Sequence, residues 1–468
     1  MQASAEKKAA YTALRESAKP EVARAIEQLI DRGLDSELCR INALSFAARH
    51  SLSEEDTIAG LLHASRLGLF DLAWNILCPG CGGVLETGET LKTVNRDGYS
   101  CALCAAAYEP TLDEMVEVTF TVSPRVRGIG AHTPDSLPWL QYFKQLFWSS
   151  GVDLPDDKEL AKLMGEIALD TVELPPGEKI ARLVQLPKEF VIIFDPVVHL
   201  AQFIDVQGEP TTEEQSISFV MTNDQAPTAT TPMRPGPLRI FLENRSTRRT
   251  LPGLWIAGDK LHQLLARRRP FLTAKRLLSN QTFRDIHRTD TVAVDQRLKI
   301  TSLTFLFTDL KGSTELYERV GDLVAYDLVR AHFRLLNEII ASEGGAVVKT
   351  IGDAVMATFP TPERAMAAAL RMRDALKELN EELELKIGIH QGPCLAVSLN
   401  DRQDYFGQTV NIASRVQGLA KGSSIFVTRE VVEHSEASKI LRASGVEPTA
   451  HRRSLRGIAN QFEIFEIA

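Results

Sequence analysis

The chain has 468 residues, with 53 Lys and Arg against 61 Asp and Glu, a net charge of −8. Its 44% apolar and 24% charged residues suit a globular protein of about three domains, and exclude a largely disordered chain, a collagen-like fibre and a small disulfide scaffold. No stretch approaches the ~18 uninterrupted apolar residues of a membrane span, and MQASAEKKAAYTALRESAKP lacks the apolar core of a secretory signal, so a cytoplasmic protein is expected.

In chain order, Glu21–Ile30 carries an apolar stripe and Glu37–His50 another, at Leu38, Ile41, Leu44, Ser45 and Ala48. Ser53 and Asp56 form a capping pair for a third helix facing inward through Ile58, Leu61, Leu62 and Ser65. Phe70, Leu72, Trp74 and Ile76 then alternate as a strand does. Residues 1–76 are compatible with a winged-helix-like unit or with a helical dimerisation or docking module.

Residues 77–113 hold two Cys-x-x-Cys pairs, Cys78/Cys81 and Cys101/Cys104, with 19 residues between them. Each pair can turn two thiolates toward one ion, and two such turns complete a tetrahedral site. Gly82 and Gly83 allow the tight knuckle this needs. The pattern resembles a zinc ribbon. Four protein ligands leave no open position, so the zinc would be structural, and two disulfides do not suit a chain without an export signal. Cys39 and Cys394 read as small buried hydrophobes.

From 114 to 257 the period is two. Val116, Val118, Phe120 and Val122 alternate, Phe190–Phe194 is a buried-strand run, and Leu238–Leu242 continues the pattern. Turn signals at Pro175–Gly177, Asn223–Asp224 and Pro235–Gly236 punctuate it, and a helical interlude falls near Leu137–Phe147. Short strands so spaced predict a β-sandwich with no catalytic constellation, read as a regulatory domain. Residues 258–299 predict a basic helical connector, interrupted at Pro270 and closed at Thr289–Asp290. Its charge over 260–299 is 10 Lys or Arg against 3 Asp. Blocks 1–300 and 301–468 are both acidic overall, with nets of −5 (34 basic, 39 acidic) and −3 (19 basic, 22 acidic), which argues against nucleic acid as a partner.

Residues 300–468 predict strand 302–308, helix 314–342, a hairpin of 346–351 and 354–359, helix 361–382 and strand 385–390. That order, βαββαβ, is ferredoxin-like, so the chain as a whole is α+β. The first and third strands are then antiparallel neighbours. Asp309 at the end of the first and Asp353 in the hairpin turn meet at one sheet edge. Two close carboxylates that both stay ionised call for a cation, and Mg²⁺ suits hard oxygen donors. The N–H groups of Gly312, Ser313 and Thr314 open the following helix and can hold phosphate oxygens.

The segments Phe307-Thr-Asp-Leu-Lys-Gly-Ser-Thr314, Val348-Lys-Thr-Ile-Gly-Asp-Ala-Val-Met356 and Asp404-Tyr-Phe-Gly-Gln-Thr-Val-Asn-Ile-Ala-Ser-Arg415 resemble the catalytic domain of class III adenylate/guanylate cyclases. The resemblance implies that Asp309, Asp353 and the Leu310 backbone bind two Mg²⁺ or Mn²⁺ ions. It further implies that Lys349 and Asp404 recognise adenine, Asn411 orients the ribose, and Arg415 stabilises the transition state at phosphorus. Arg456 falls where the family often has a Lys on the terminal phosphates. In that family the metal-binding acids and the base-reading residues of one site come from opposite subunits, which implies a homodimer. His390 reads as structural.

The expected function is therefore ATP to 3′,5′-cyclic AMP and pyrophosphate, regulated by the N-terminal 299 residues. Lys349 donates and Asp404 accepts, which matches adenine N1 and N6 and mismatches guanine, so a guanylate cyclase is disfavoured. A diguanylate cyclase lacks its acidic pair here, because Gly344-Gly345 is followed by Ala-Val-Val. A transcription or nucleic-acid-binding factor with a cyclase domain as ligand sensor, or a catalytically dead scaffold, fits poorly with a complete catalytic set.

Overall fold

The computed structural model describes residues 2–94, 98–224, 229–287, 296–379, 384–399, 402–458 and 461–468. The expected ends at Thr289–Asp290 and Glu382 lie outside them. The chain forms two compact units: 1–89, 94–110 and 114–272 make the first, and 90–93, 111–113 and 273–468 the second. The 258–299 segment is thus shared between them.

The first unit opens with four helices, α1 (Gln2–Ser17), α2 (Pro20–Arg32), α3 (Ala43–His50) and α4 (Glu54–Arg66). The first was not expected. It is alanine-rich and, among its described side chains, buries only Tyr11 and Leu14, too thin a stripe to show as periodicity. Asn42 caps α3 by accepting from the N–H groups of Leu44 and Ser45, so the helix starts six residues later than expected. Its buried face is therefore Ala43, Leu44, Phe46 and Ala47, and Ala48 is exposed. Ser53 does cap α4, accepting from Asp56 N–H at 3.3 Å.

Strand β1 (Phe70–Leu77) lies between β2 (Val84–Gly88) and β5 (Val116–Val122), both antiparallel to it, while β3 (Tyr99–Cys101) and β4 (Ala106–Tyr108) form a separate hairpin. Val116–Val122 therefore pairs with the helical segment's strand and not with the strands that follow. The helical interlude is α5 (Trp139–Tyr142), continued by a π turn over Phe143–Phe147, and α6 spans Asp157–Ile167. Eight further strands follow: β6 (Ala168–Thr171), β7 (Lys179–Leu186), β8 (Val191–Asp195), β9 (Leu200–Val206), β10 (Gln215–Met221), β11 (Ala229–Met233), β12 (Gly236–Asn244) and β13 (Gly253–Ile256). They form sheets of order β10-β12-β7 and β11-β9-β8-β13-β6 around one core that includes Ile193, Ile204, Phe219, Ile240 and Leu254. The β10/β12 and β11/β9 pairs are parallel, which hairpin-linked sandwich strands would not be. Helix α7 (Asp259–Ala266) precedes the end of this unit.

The second unit begins with α8 (Ala274–Leu278) and α9 (Gln281–Ile286), then β14 (Leu298–Lys311), α10 (Ser313–Val320), α11 (Asp322–Ser342), β15 (Ala346–Ile351), β16 (Ala354–Phe359), α12 (Pro362–Leu379) and β17 (Glu384–Leu399). It continues with β18 (Arg402–Phe406), α13 (Gln408–Gln417), β19 (Ile425–Thr428), α14 (Arg429–Val432), α15 (Ser435–Ala443), β20 (Thr449–Ser454) and β21 (Gln461–Ile467). The sheet order is β15-β16-β14-β17-β19-β21-β20, with β18 also on β17, so its first four strands have the ferredoxin-like arrangement. The expected single helix over 314–342 is two, broken at Gly321, which adopts a positive φ of 79° between α10 and α11. Strands β14 and β17 are longer than expected because residues 298–300 extend their ladder to 394–396 across a bulge. Leu306, Leu336, Ala357, Phe359, Met366 and Ile387 pack β14, α11, β16, α12 and β17 into one core.

Candidate functional site

The two acids stand at one end of the β14/β16 ladder. Its last rung pairs Thr308 with Val355, leaving Asp309 to continue β14 and Asp353 in the turn that opens β16. Asp309 faces Lys386 in the β14/β17 register, and Lys386 Nζ lies 3.4 Å from its Oδ2. Asp353 Oδ2 is buried with no hydrogen-bond partner among the described residues. Orphaned carboxylate oxygens are costly, and a hard cation is the partner that fits this donor set. From α11, buried His332 bears on Asp353. Burial holds its pKa down at about 4 against the pull of that carboxylate, so the ring is neutral. Gly312 precedes α10 at φ 68°, where a Cβ would come within 2.6 Å of Glu315 Oε2. The tight entry it permits puts Ser313 and Thr314 in the first turn of α10, where N–H groups are free to meet phosphate.

A second group gathers on β15, β18 and α13. Lys349 Nζ lies 2.6 Å from Asp404 Oδ2, and Asp404 Oδ1 accepts from the N–H of Tyr405 at 2.8 Å. Asp404 is 8% exposed and on a strand rather than in a loop. Helix α13 buries Thr409, Ile412, Ala413 and Val416, which leaves Asn411 exposed and Arg415 half-buried on its other side. A Cβ on Gly457 would lie 3.5 Å from Arg415 Nη2, so the turn carrying exposed Arg456 runs beside that guanidinium. Among the described residues, the ion pair of Asp309 is with Lys386 rather than Arg415, and Asp353 Oδ2 has no partner.

Sequence reasoning did not single out Lys386, which the strand pairing places opposite Asp309, nor Arg284, which read as part of a solvated connector. His390 is buried, with Nδ1 2.8 Å from Thr428 Oγ1 and its ring edge-on to Phe462. Burial lowers its pKa to about 4, with Glu430 pulling the other way. A folded pKa below the unfolded value near 6.5 favours the folded state above pH 6.5, an advantage lost as pH falls through 4. Thermal melts of the full chain should therefore show a loss on the order of 3 kcal/mol over that window from this residue. His390→Gln should flatten that part of the profile; an unchanged profile would remove the assignment.

In the first unit the four ribbon cysteines converge. Cys78 Sγ is 3.6 Å from Cys104 Sγ and Cys81 Sγ is 3.7 Å from Cys101 Sγ, with all four sulfurs within 4.8 Å of one another. No disulfide joins them. A Zn–S bond of ~2.3 Å implies tetrahedron edges of ~3.8 Å, so the cluster fits zinc. Hydrogen bonding from Cys101 holds Cys78 low, while its bond to Cys81 pushes that thiol well up. Four thiols this close cannot all ionise without a cation among them. Gly82, at φ 71°, makes the knuckle, and a Cβ there would meet Val152 Cγ2 at 2.5 Å. Cys39 and Cys394 are both buried.

Fold and sequence together make the C-terminal segment a class III nucleotide cyclase catalytic domain: residues 296–451 match the family described as adenylate and guanylate cyclase catalytic domain. Residues 4–285 match a second family over more than half of the chain, and the protein belongs to it: the Family of unknown function (DUF5939). An adenylate cyclase of Anabaena cylindrica is 32% identical over 152 residues, 28% of this chain and 30% of that one. An adenylate cyclase of Mycosarcoma maydis is 31% identical over 159 residues, 29% of this chain and 6% of the other. The match thus spans less than a third of either relative. The crystal structure of the adenylyl cyclase CyaB from P. aeruginosa is 21% identical with a TM-score of 0.33, covering 37% of this chain and 96% of that one. Among the described residues, no helix is long and apolar enough to cross a membrane.

Proposed function

We propose that the protein is an adenylate cyclase converting ATP to 3′,5′-cyclic AMP and pyrophosphate at sites shared by two copies of the chain, with the N-terminal 299 residues as regulatory input. The observation that carries the substrate is the Lys349–Asp404 pair. Its ammonium can donate to adenine N1 and its carboxylate can accept from N6, whereas guanine presents a donor and an acceptor the other way round. Asp309, Asp353 and the Leu310 carbonyl would hold two Mg²⁺ or Mn²⁺ ions, whose charge lowers the pKa of the ribose 3′-OH and offsets that of the triphosphate. The N–H groups at Gly312–Thr314 receive phosphate oxygens. Asn411 orients the ribose, Arg415 presents a planar fork to the oxygens on the α-phosphorus, and Arg456 meets the leaving pyrophosphate. No side chain acts as a nucleophile, because the 3′-OH attacks within the same nucleotide.

Pairing of two copies is supported by apolar side chains left in water on this unit. Leu323 is 84% exposed, Phe406 62% and Tyr326 59%. Large apolar side chains left this exposed suit a covered interface. The independent match of residues 4–285 to another family supports a separate input module.

The substrate assignment is tested by initial rates with ATP and GTP. Wild type should favour ATP, and Lys349→Glu/Asp404→Ser should move the ATP:GTP ratio of kcat/KM toward GTP by about 10²-fold, because each exchanged group reverses the hydrogen bond it would make to the base edge. A ratio unmoved by the exchange overturns the adenine reading.

A further inference from the structure

We infer that Arg284 of α9 is a positioning residue for nucleobase selection, holding β15 and β18 so that Lys349 and Asp404 present one donor and one acceptor at a fixed separation. The inference rests on the reading of Lys349 and Asp404 as the base-contacting pair.

The two strands are not ladder neighbours. Strand β15 pairs with β16, and β18 pairs with β17, with β14 between. No ladder hydrogen bond therefore joins them directly. Arg284 does: its Nη2 donates to the carbonyl of Gln403 at 2.9 Å and to that of Val348 at 3.3 Å. Those carbonyls belong to the residues immediately before Asp404 and Lys349. One nitrogen thus bridges both strands one residue upstream of the pair.

The ladder is also irregular there. Val347 pairs with Ala357 and Lys349 with Met356, so Val348 is the extra residue of a bulge. A bulge bends its strand and re-aims the next side chain, here Lys349, and it leaves backbone groups for other partners. Helix α9 supplies them. Gln281 Oε1 accepts the Val347 N–H at 2.8 Å while Arg284 takes the Val348 carbonyl. On the other strand, the buried Tyr405 hydroxyl donates to the Leu278 carbonyl at 3.3 Å and accepts from Gln403 Nε2 at 2.7 Å. Residues 278–284 therefore hold both base-reading strands, through backbone groups of Val347, Val348 and Gln403 and through the Tyr405 hydroxyl. A guanidinium suits this bridge because its planar, permanently charged fork holds fixed directions, which a flexible ammonium does not. The segment lies at the end of residues 4–285, the stretch that matches the first unit's family.

The test measures kcat and KM for ATP and GTP on the full chain, for wild type, Arg284→Ala, Arg284→Lys and Lys349→Ala, with a thermal melt of each. Arg284→Ala should lower the ATP:GTP ratio of kcat/KM about tenfold, mainly through a higher KM for ATP, since the pair is loosened and the acids are untouched. Arg284→Lys, able to reach one carbonyl, should recover part of the ratio and serves if the alanine variant melts early. A role confined to folding would lower both substrates together and leave the ratio fixed; that result overturns the inference. If Lys349→Ala moves the ratio and neither Arg284 variant does, the inference alone fails. If Lys349→Ala leaves the ratio unchanged, or wild type forms no cyclic AMP, the reading of the pair fails and takes the inference with it.

Discussion

Chains carrying Asp309→Ala and chains carrying Arg415→Ala, each nearly inactive alone, are expected to regain cyclase activity when mixed. Each substitution by itself should lower kcat about 10³-fold. Removal of an acid deprives the triphosphate and the 3′-OH of the cations it would hold, and removal of the guanidinium leaves charge at phosphorus uncompensated. Asp353→Ala should behave as Asp309→Ala does, because its buried Oδ2 has no other described partner to explain its place in the turn. In a head-to-tail pair each pocket draws its acids from one copy and its guanidinium from the other. A mixed pair then has one intact pocket and one doubly damaged one, so an equal mixture should reach about a quarter of wild-type turnover. Chromatography of differently tagged chains must show exchange. Exchange without recovered activity would overturn the shared site, and wild-type turnover by Asp353→Ala would overturn the metal assignment.

The catalytic domain was more legible than the rest because its elements are bounded by local chemistry. Gly352-Asp353 marks the hairpin turn, and both flanking strands fall where their apolar runs begin and end. The break at Gly321 was hidden by an apolar pattern that continues through it, although a glycine followed by Asp322 is a fair helix boundary. In the first unit the strands were visible as alternation, but alternation does not record which strand lies beside which. Val116–Val122 joins β1 across 38 intervening residues, and β10 and β12 run parallel, both decided by long-range packing. The six motif positions, Asp309, Lys349, Asp353, Asp404, Asn411 and Arg415, were legible in the sequence, and the Lys349–Asp404 ion pair was not, because it depends on how two separate strands are placed. Arg284 was invisible because its partners are backbone carbonyls, which any sequence would supply. Only the fold brings Val348 and Gln403 within reach of one side chain.

Loss of the four-cysteine site is expected to produce the largest change in stability. The purified protein should contain about one zinc per chain, since the cluster supplies four ligands and no fifth position. Cys81 is buried and immediately precedes Gly82, so Cys81→Ser would replace a soft thiolate by a hard hydroxyl inside the knuckle. Structural zinc contributes apparent binding energies of roughly 10–16 kcal/mol in small zinc domains, and even a fraction of that is large beside the stability of a folded unit. A fall of about 10 °C or more in the melting temperature is expected for Cys81→Ser and for protein stripped by a chelator. Re-addition of zinc should restore the chelated protein and not the variant. Cys39→Ser removes another buried thiol that has no place in the cluster, so it should leave the zinc content unchanged and lower stability far less. Acid should also release the metal, because the ligands must be thiolates, and the release should precede global unfolding as pH falls. A metal content far below one zinc per chain, with chelation leaving the melt unmoved, would show that the four sulfurs pack as thiols and hold no ion.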